Sequence, residues 1–241
     1  MALESTETPK ANGLKTAIDI VIAPKEALES LRVSPTWGWA FLIAVALSVA
    51  AFFVMMPAIQ HAMPGDIAKQ AATNPQLAQL TPEQLDAQAK MINRFVPFFS
   101  IFTPIAILLF ALLEAVIMLI FNAIGRGSGR FATLWASSVN IGIIYGLSQV
   151  VGAVVVLVRG ADSFATGADV QRAVPSLALL MPGGGAKLVA FLATINPFTI
   201  WSVVLVIMTM TVVARVPKVH AWLTGILCFI LPSLIAVAFA K

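Results

Sequence analysis

The chain has little charge and almost no reactive side chains of the kinds that build soluble enzymes. Of its 241 residues 11% are charged, and it holds one cysteine, one tyrosine and two histidines. A lone cysteine excludes an intrachain disulfide, and Cys228 sits in the apolar run LTGILCFILPSL, where a thiol acts as a small hydrophobe. No cysteine cluster, no nucleotide loop of the GxxxxGK[ST] kind and no GxSxG elbow occurs. The net charge of +4 is spread over several loops without a long basic tract, which speaks against nucleic acid as a partner.

What the chain has in abundance is hydrocarbon. Hydrophobic residues make up 59% of it and the mean hydropathy is +0.94, whereas soluble domains carry about 25% charged residues. A membrane helix needs about 20 apolar residues, and five runs qualify: Trp37 to Met56, Phe98 to Phe121, Trp135 to Val158, Pro197 to Val213 and Ala221 to Ala240. The expected fold is all-α, a polytopic membrane bundle of five transmembrane helices with short interfacial helices. Residues 1–36 form an amphipathic N-terminal segment and residues 37–241 the five-span domain. The first thirty-six residues hold no signal-type apolar core, so the first span is expected to be an uncleaved anchor.

Orientation follows from Lys and Arg in short loops. GRGSGR carries Arg126 and Arg130, and RVPKVH carries Arg215 and Lys218, neither with an acid. These loops share one side of a five-span chain, so that side is expected to be cytoplasmic, with the N-terminus inside and the C-terminus outside. Tryptophans favour headgroup depth, and Trp37, Trp39, Trp135, Trp201 and Trp222 all fall near span ends. His61 and His220 then lie on opposite sides and cannot share a metal or a proton-transfer step. With no other catalytic constellation and no cofactor motif, the sequence predicts neither an enzyme nor a bound cofactor or metal.

Outside the spans, Leu14, Ala17, Ile18, Val21 and Ile22 recur at helical spacing. Pro24 suits the first turn of a second helix with Ala27, Leu28 and Leu31 on its apolar side. Residues 11–32 are therefore expected to form two short helices, lying on the membrane surface or folded against the bundle. In the loop from Pro57 to Arg94, Thr81, Pro82 and Gln84 predict a capped helix that leads into the second span. VPSLALLM, in the loop before the fourth span, is too short to cross and is expected at the interface.

Glu114 is the single formal charge within the five runs. An ionised side chain at bilayer depth costs on the order of 2.5 to 3.5 kcal/mol, so it must face protein or water or carry a proton. Thr103 precedes it by eleven residues on the same helical face, and on the third span Ser138, Tyr145 and Gln149 share a face. Together they form a candidate polar seam, whether a structural network, a substrate route or a partner-facing site. A second candidate is architectural: Asn196 precedes Pro197, Trp201 and Ser202 at the mouth of the fourth run, where Asn196 can cap a helix that begins at Pro197. Trp201 would lie at headgroup depth and Ser202 would bond within the helix or to a neighbour.

Three stretches carry a resemblance to a known family: IAPKEALESL before the first span, GRGSGRFATLWASS after the second, and LATINPFTIWSVVLVIMTMTVVARV around the fourth. In order and spacing, within a five-span frame, they resemble the Yip family of Ypt/Rab-interacting membrane proteins, in its bacterial branch. The chain departs from that pattern where members often carry an acid, here Asn196, and a glycine in the fourth span, here absent from IMTMTVV. Eukaryotic members bear a long cytosolic N-terminal domain associated with Rab-type GTPases; it has no counterpart here, so Rab binding is not expected. The resemblance implies a multi-pass protein, here of a bacterial inner membrane, that organises membrane or membrane traffic through contacts with lipids, other membrane proteins or itself. A small transporter or channel using the seam around Glu114 is the alternative.

Overall fold

The computed structural model describes residues 12–181 and 184–240. Among them every regular element is helical, and the chain is an all-α polytopic membrane bundle. Four of its helices are long and apolar enough to cross a membrane, and one bent pair makes a possible fifth span.

Two short helices come first, α1 (Gly13–Ile22) and α2 (Pro24–Val33). Asn12 caps α1 by accepting from the amides of Leu14 and Lys15 at 3.1 and 3.3 Å, and Pro24 occupies the first turn of α2. Thr16, Ala17 and Ile20 are buried on α1, as are Ala27, Leu28 and Leu31 on α2, and the two helices pack together. The apolar residues of α1 therefore divide into two stripes. Ala17 goes inward, while Leu14, Ile18 and Ile22, spaced one turn apart, stay exposed, as suits a helix at a membrane surface.

The third helix, α3 (Gly38–Ala71), runs well past the expected end of the first span at Met56. Its 34 residues reach about 51 Å, against a hydrocarbon core of about 30 Å. Pro57 and Pro64 lie inside it, although a proline removes a backbone donor and usually ends or kinks a helix. Packing overrides that preference: Ala58 and Ala62 are fully buried in a cluster with Val156, Phe164, Val170 and Ala173. Farther along, the Asp66 carboxylate accepts from the Gly167 amide at 2.9 and 3.1 Å, which ties the end of α3 to the segment after α6.

Thr81 and Gln84 form the expected capping box at the start of α4 (Pro82–Phe95), with bonds of 3.3 and 2.8 Å. The extension of α3 and α4 are joined by a reciprocal pair, Asn93 Nδ2 donating to the Gln60 carbonyl at 3.0 Å and Gln60 Nε2 to the Asn93 carbonyl at 3.3 Å. Much of the stretch read as a loop is thus a helical hairpin. A 3₁₀ turn (Val96–Phe102) continues α4 into α5 (Thr103–Ile124), so the expected start of the second span at Phe98 falls within that turn.

After α5 come α6 (Phe131–Arg159), the single turn α7 (Gly167–Gln171), α8 (Ala186–Thr194), α9 (Pro197–Val212) and α10 (Lys218–Phe239). Of the continuous spans α6 is the most enclosed, with 44% of its apolar window buried, and α10 the least, with 17%. By contacts the chain divides into two compact units. One comprises residues up to Ile43 with Leu108–Ile143 and Trp201–Ile230; the other comprises Ala44–Ile107, Ile144–Ile200 and Leu231 onward.

Candidate functional site

In the first unit the turn between α5 and α6 is built around a residue that hydropathy does not flag. Asn122 is buried; its Nδ2 donates to the Gly129 carbonyl and its Oδ1 accepts from the Gly129 amide, each at 3.0 Å. The Gly127 amide donates to the Asn122 carbonyl at 2.8 Å, and the Ser128 amide donates to the Ala214 carbonyl at 2.7 Å, so this turn is bonded to the turn that follows α9. Glycine is required by closeness: a Cβ on Gly127 would stand 2.3 Å from Asn122 Oδ1 and 2.6 Å from the Ala214 oxygen. Arg126, Arg130, Arg215 and Lys218 surround the joint, all exposed.

Glu114 lies deeper in the same unit. One carboxyl oxygen, Oε1, is enclosed and has no hydrogen-bond partner. The Ser138 hydroxyl is close enough to act on the carboxyl, yet Ser138, only 1% exposed, completes no well-formed bond through Oγ. The Cys228 thiol is also within electrostatic reach of the carboxyl. Neighbouring hydroxyls in this unit are spent on their own helices: Ser137 donates to the Thr133 carbonyl, Thr209 to that of Leu205 and Thr224 to that of His220, at 2.7 to 2.9 Å. Such back-bonding is how Ser and Thr are accommodated in apolar helices. Glu114 and Ser138 differ from these three: each keeps an enclosed polar atom with capacity left over, as do Thr36, Asn140 and His220 elsewhere in the unit, and among the described residues no cation pairs with Glu114.

Of the residues grouped with Glu114 from the sequence, the structure brings Ser138 to it. Thr103 shares the face but lies three turns away, about 16 Å along α5. Tyr145 is 58% exposed and its hydroxyl lies with Gln149, one turn on in α6. Seven residues separate Ser138 from Tyr145, about 10 Å of helix, so α6 carries two separate polar groups. A further residue of α6, Asn140, is fully buried and donates through Nδ2 to the carbonyls of Ala136 and Thr36, at 2.7 and 3.0 Å.

The corner before α9 is made by Asn196. Its Oδ1 accepts from the amides of Phe198 and Thr199, each at 3.0 Å, and Pro197 is the first residue of the helix. The chain bends by 54° between α8 and α9. Trp201 is 37% exposed; Ser202 is half-buried. The VPSLALLM stretch forms a 3₁₀ turn (Leu177–Leu180) pinned by the Leu177 amide to the Ile195 carbonyl at 3.1 Å. Leu179, Leu180 and Met181 remain exposed, and the first two line an open apolar groove of about 350 Å³ together with Leu177, Ile195, Pro197 and Ile200.

Sequence reasoning missed Asn122, Asn140 and Asp66. Asn122 had a signal, a polar residue closing a long apolar run three positions before a glycine turn; the other two pair with residues about a hundred positions away. No group of three or more His, Cys, Asp or Glu side chains arranged to hold a metal occurs among the described residues. Comparison with known proteins finds no family model, no curated protein and no solved structure that matches this chain.

Proposed function

We propose that the chain is a non-enzymatic integral membrane protein of the Yip type, in a bacterial inner membrane with its N-terminus in the cytoplasm. On this reading it organises membrane or membrane traffic through contacts with other membrane proteins, with lipids or with itself, without a Rab-type GTPase. The observation that carries it is the bond from the Ser128 amide to the Ala214 carbonyl, 2.7 Å long. It joins two of the three stretches on which the resemblance rests, GRGSGRFATLWASS and the one ending in TVVARV. Motifs far apart in the chain thus belong to one construction. The helices add to this, since large apolar side chains such as Leu109, Phe110, Ile120, Leu157 and Val158 are exposed along them and offer area for lipid or for a partner's helices. Native mass spectrometry of the protein released from its own membrane tests the proposal, together with inspection of membranes lacking the protein. A specific lipid or protein that stays bound is the expected result; a bare chain together with an unaltered membrane refutes it.

A second reading, a small transporter or channel, is favoured by one observation only, the pair of unspent polar atoms Glu114 Oε1 and Ser138 Oγ. It requires that reconstituted protein pass a solute and that Glu114→Gln abolish the flux. Unchanged flux in the variant removes Glu114 from any such route.

A further inference from the structure

We propose that the joined turns at the end of the first unit form a binding site for the phosphate of an anionic phospholipid. This deepens the organising role by naming one lipid contact. Its failure would leave contacts between helices and other proteins untouched.

The two turns are one structure, because the Ser128 amide bonds to the Ala214 carbonyl and Gly129 abuts Ala214. Arg126 and Arg130 flank Ser128, Arg215 follows Ala214, and Lys218 opens α10, so four cations are gathered on a short stretch of surface. All four are exposed, and none is paired with an acid among the described residues. Glu114 is the one acid within Leu108–Ile143 and Trp201–Ile230, and it lies ten residues, about 15 Å, up α5 from Ile124. The remaining described acids of the unit are on α1 and α2, where Asp19 is taken by Lys15 and Glu26 and Glu29 belong to α2.

Backbone geometry makes the choice of arginine informative. Arg126 and Arg215 have φ of 51° and 58°, and they are the non-glycine residues with positive φ among the described residues. Glycine and asparagine fill such positions with less strain. A turn selected for closure alone would not place arginine at both; a turn selected to present cations would.

The surroundings point to a lipid as the source of the phosphate. Phe131 follows Arg130 directly and is 44% exposed, while Val219 and Trp222, next to and one turn beyond Lys218, are 66% and 58% exposed. Phe131 stacks on Trp135 at 6.3 Å, and Trp135 meets Trp37 edge to face at 5.9 Å. Aromatic rings of this kind collect at headgroup depth, so the cations beside them stand where lipid phosphates lie. Guanidinium groups bind phosphate through paired N–H donors, and the exposed Ser128 hydroxyl adds a neutral donor.

The test is native mass spectrometry of the detergent-solubilised protein titrated with phosphatidylglycerol, with phosphatidylcholine, and with phosphatidylglycerol in excess inorganic phosphate. Arg126→Asn with Arg215→Asn removes two charges with residues that tolerate the left-handed backbone. Arg126→Lys with Arg215→Lys keeps both charges. Phosphatidylglycerol is expected to be held in preference to phosphatidylcholine. The asparagine pair should weaken it on the order of 25-fold, about fivefold per cation, the lysine pair much less, and inorganic phosphate should not displace it. Arg130→Gln with Lys218→Gln, where no left-handed backbone is involved, should weaken binding similarly and guards against misfolding of the first pair. Retention of phosphatidylglycerol at the wild-type level by both charge-removing pairs, retention of phosphatidylcholine equal to that of phosphatidylglycerol, or displacement by inorganic phosphate overturns the proposal.

Discussion

Gly127→Ala tests whether the joint between the two turns is as tight as its geometry requires. An ideal Cβ at residue 127 would meet Asn122 Oδ1 at 2.3 Å, the Ala214 carbonyl oxygen at 2.6 Å and Val216 Cγ1 at 2.6 Å. Ordinary contact begins near 3.4 Å, so the Ala214 carbonyl alone must retreat by about 0.8 Å. That motion stretches the Ser128 to Ala214 bond, now 2.7 Å, to about 3.5 Å, the limit of a useful hydrogen bond. Overpacking of this kind costs about 1–3 kcal/mol and the lost bond about 0.5–1.5 kcal/mol. Because φ at residue 127 is not left-handed, alanine also stiffens the unfolded chain and returns about 0.4–1 kcal/mol. The net expectation is a loss of about 2–3 kcal/mol, read as reversible unfolding of the purified protein in mixed micelles. Two glycines serve as references. Gly129→Ala, whose Cβ would meet Ala214 Cα at 3.1 Å, should cost less, and Gly38→Ala, with nothing within 4 Å, almost nothing. Adding Val216→Ala to Gly127→Ala should restore only part of the loss, since the carbonyl clash remains. The reasoning fails if Gly127→Ala unfolds within about 0.5 kcal/mol of wild type or is milder than Gly129→Ala.

Other positions offer independent checks. Asn196→Ala removes both cap bonds of α9 and should cost about 1 kcal/mol by the same unfolding assay, while Asn196→Asp, which keeps an acceptor, should lose much less; equal losses would show that the cap is not the source of the effect. Gly65→Ala would put a Cβ 2.1 Å from the Ala165 carbonyl oxygen, so the segment after α6 should lift from α3 and become sensitive to protease, with cleavage between Gly160 and Ala173 as the signal. A protected segment in that variant would mean that Asp66 and the cluster around Phe164 hold it without the close approach. Glu114→Gln should leave binding of phosphatidylglycerol at the basic turns unchanged, since Glu114 lies apart from them along α5; a large change would couple the two places.

Local pattern in this chain determined a good deal. Apolar run length gave the membrane bundle, because the bilayer sets a minimum span. The caps at Thr81 and Asn196 and the proline starts of α2, α4 and α9 followed from short-range chemistry, since a cap and its amides lie within three residues of one another. Where a helix would stop was beyond local pattern. Pro57 is a breaker by itself, yet α3 passes through it because Ala58 and Ala62 fit against Phe164 and Val170, a hundred residues on. The two stripes of α1 could not be separated either, since Leu14 and Ala17 are both apolar and only the position of α2 decides which one is covered. The same holds for the polar residues. Glu114 was conspicuous as an isolated charge, and helical periodicity offered it Thr103 on its own helix and Ser138, Tyr145 and Gln149 on the third span, but only the fold chose Ser138 among them. Asn122 became a clamp only when the chain brought Ala214 against the glycine turn. Hydropathy and capping act within a few residues and are legible in order along the chain; the hydrogen bond between the turns at Ser128 and Ala214, far apart in sequence, exists only once packing has brought them together.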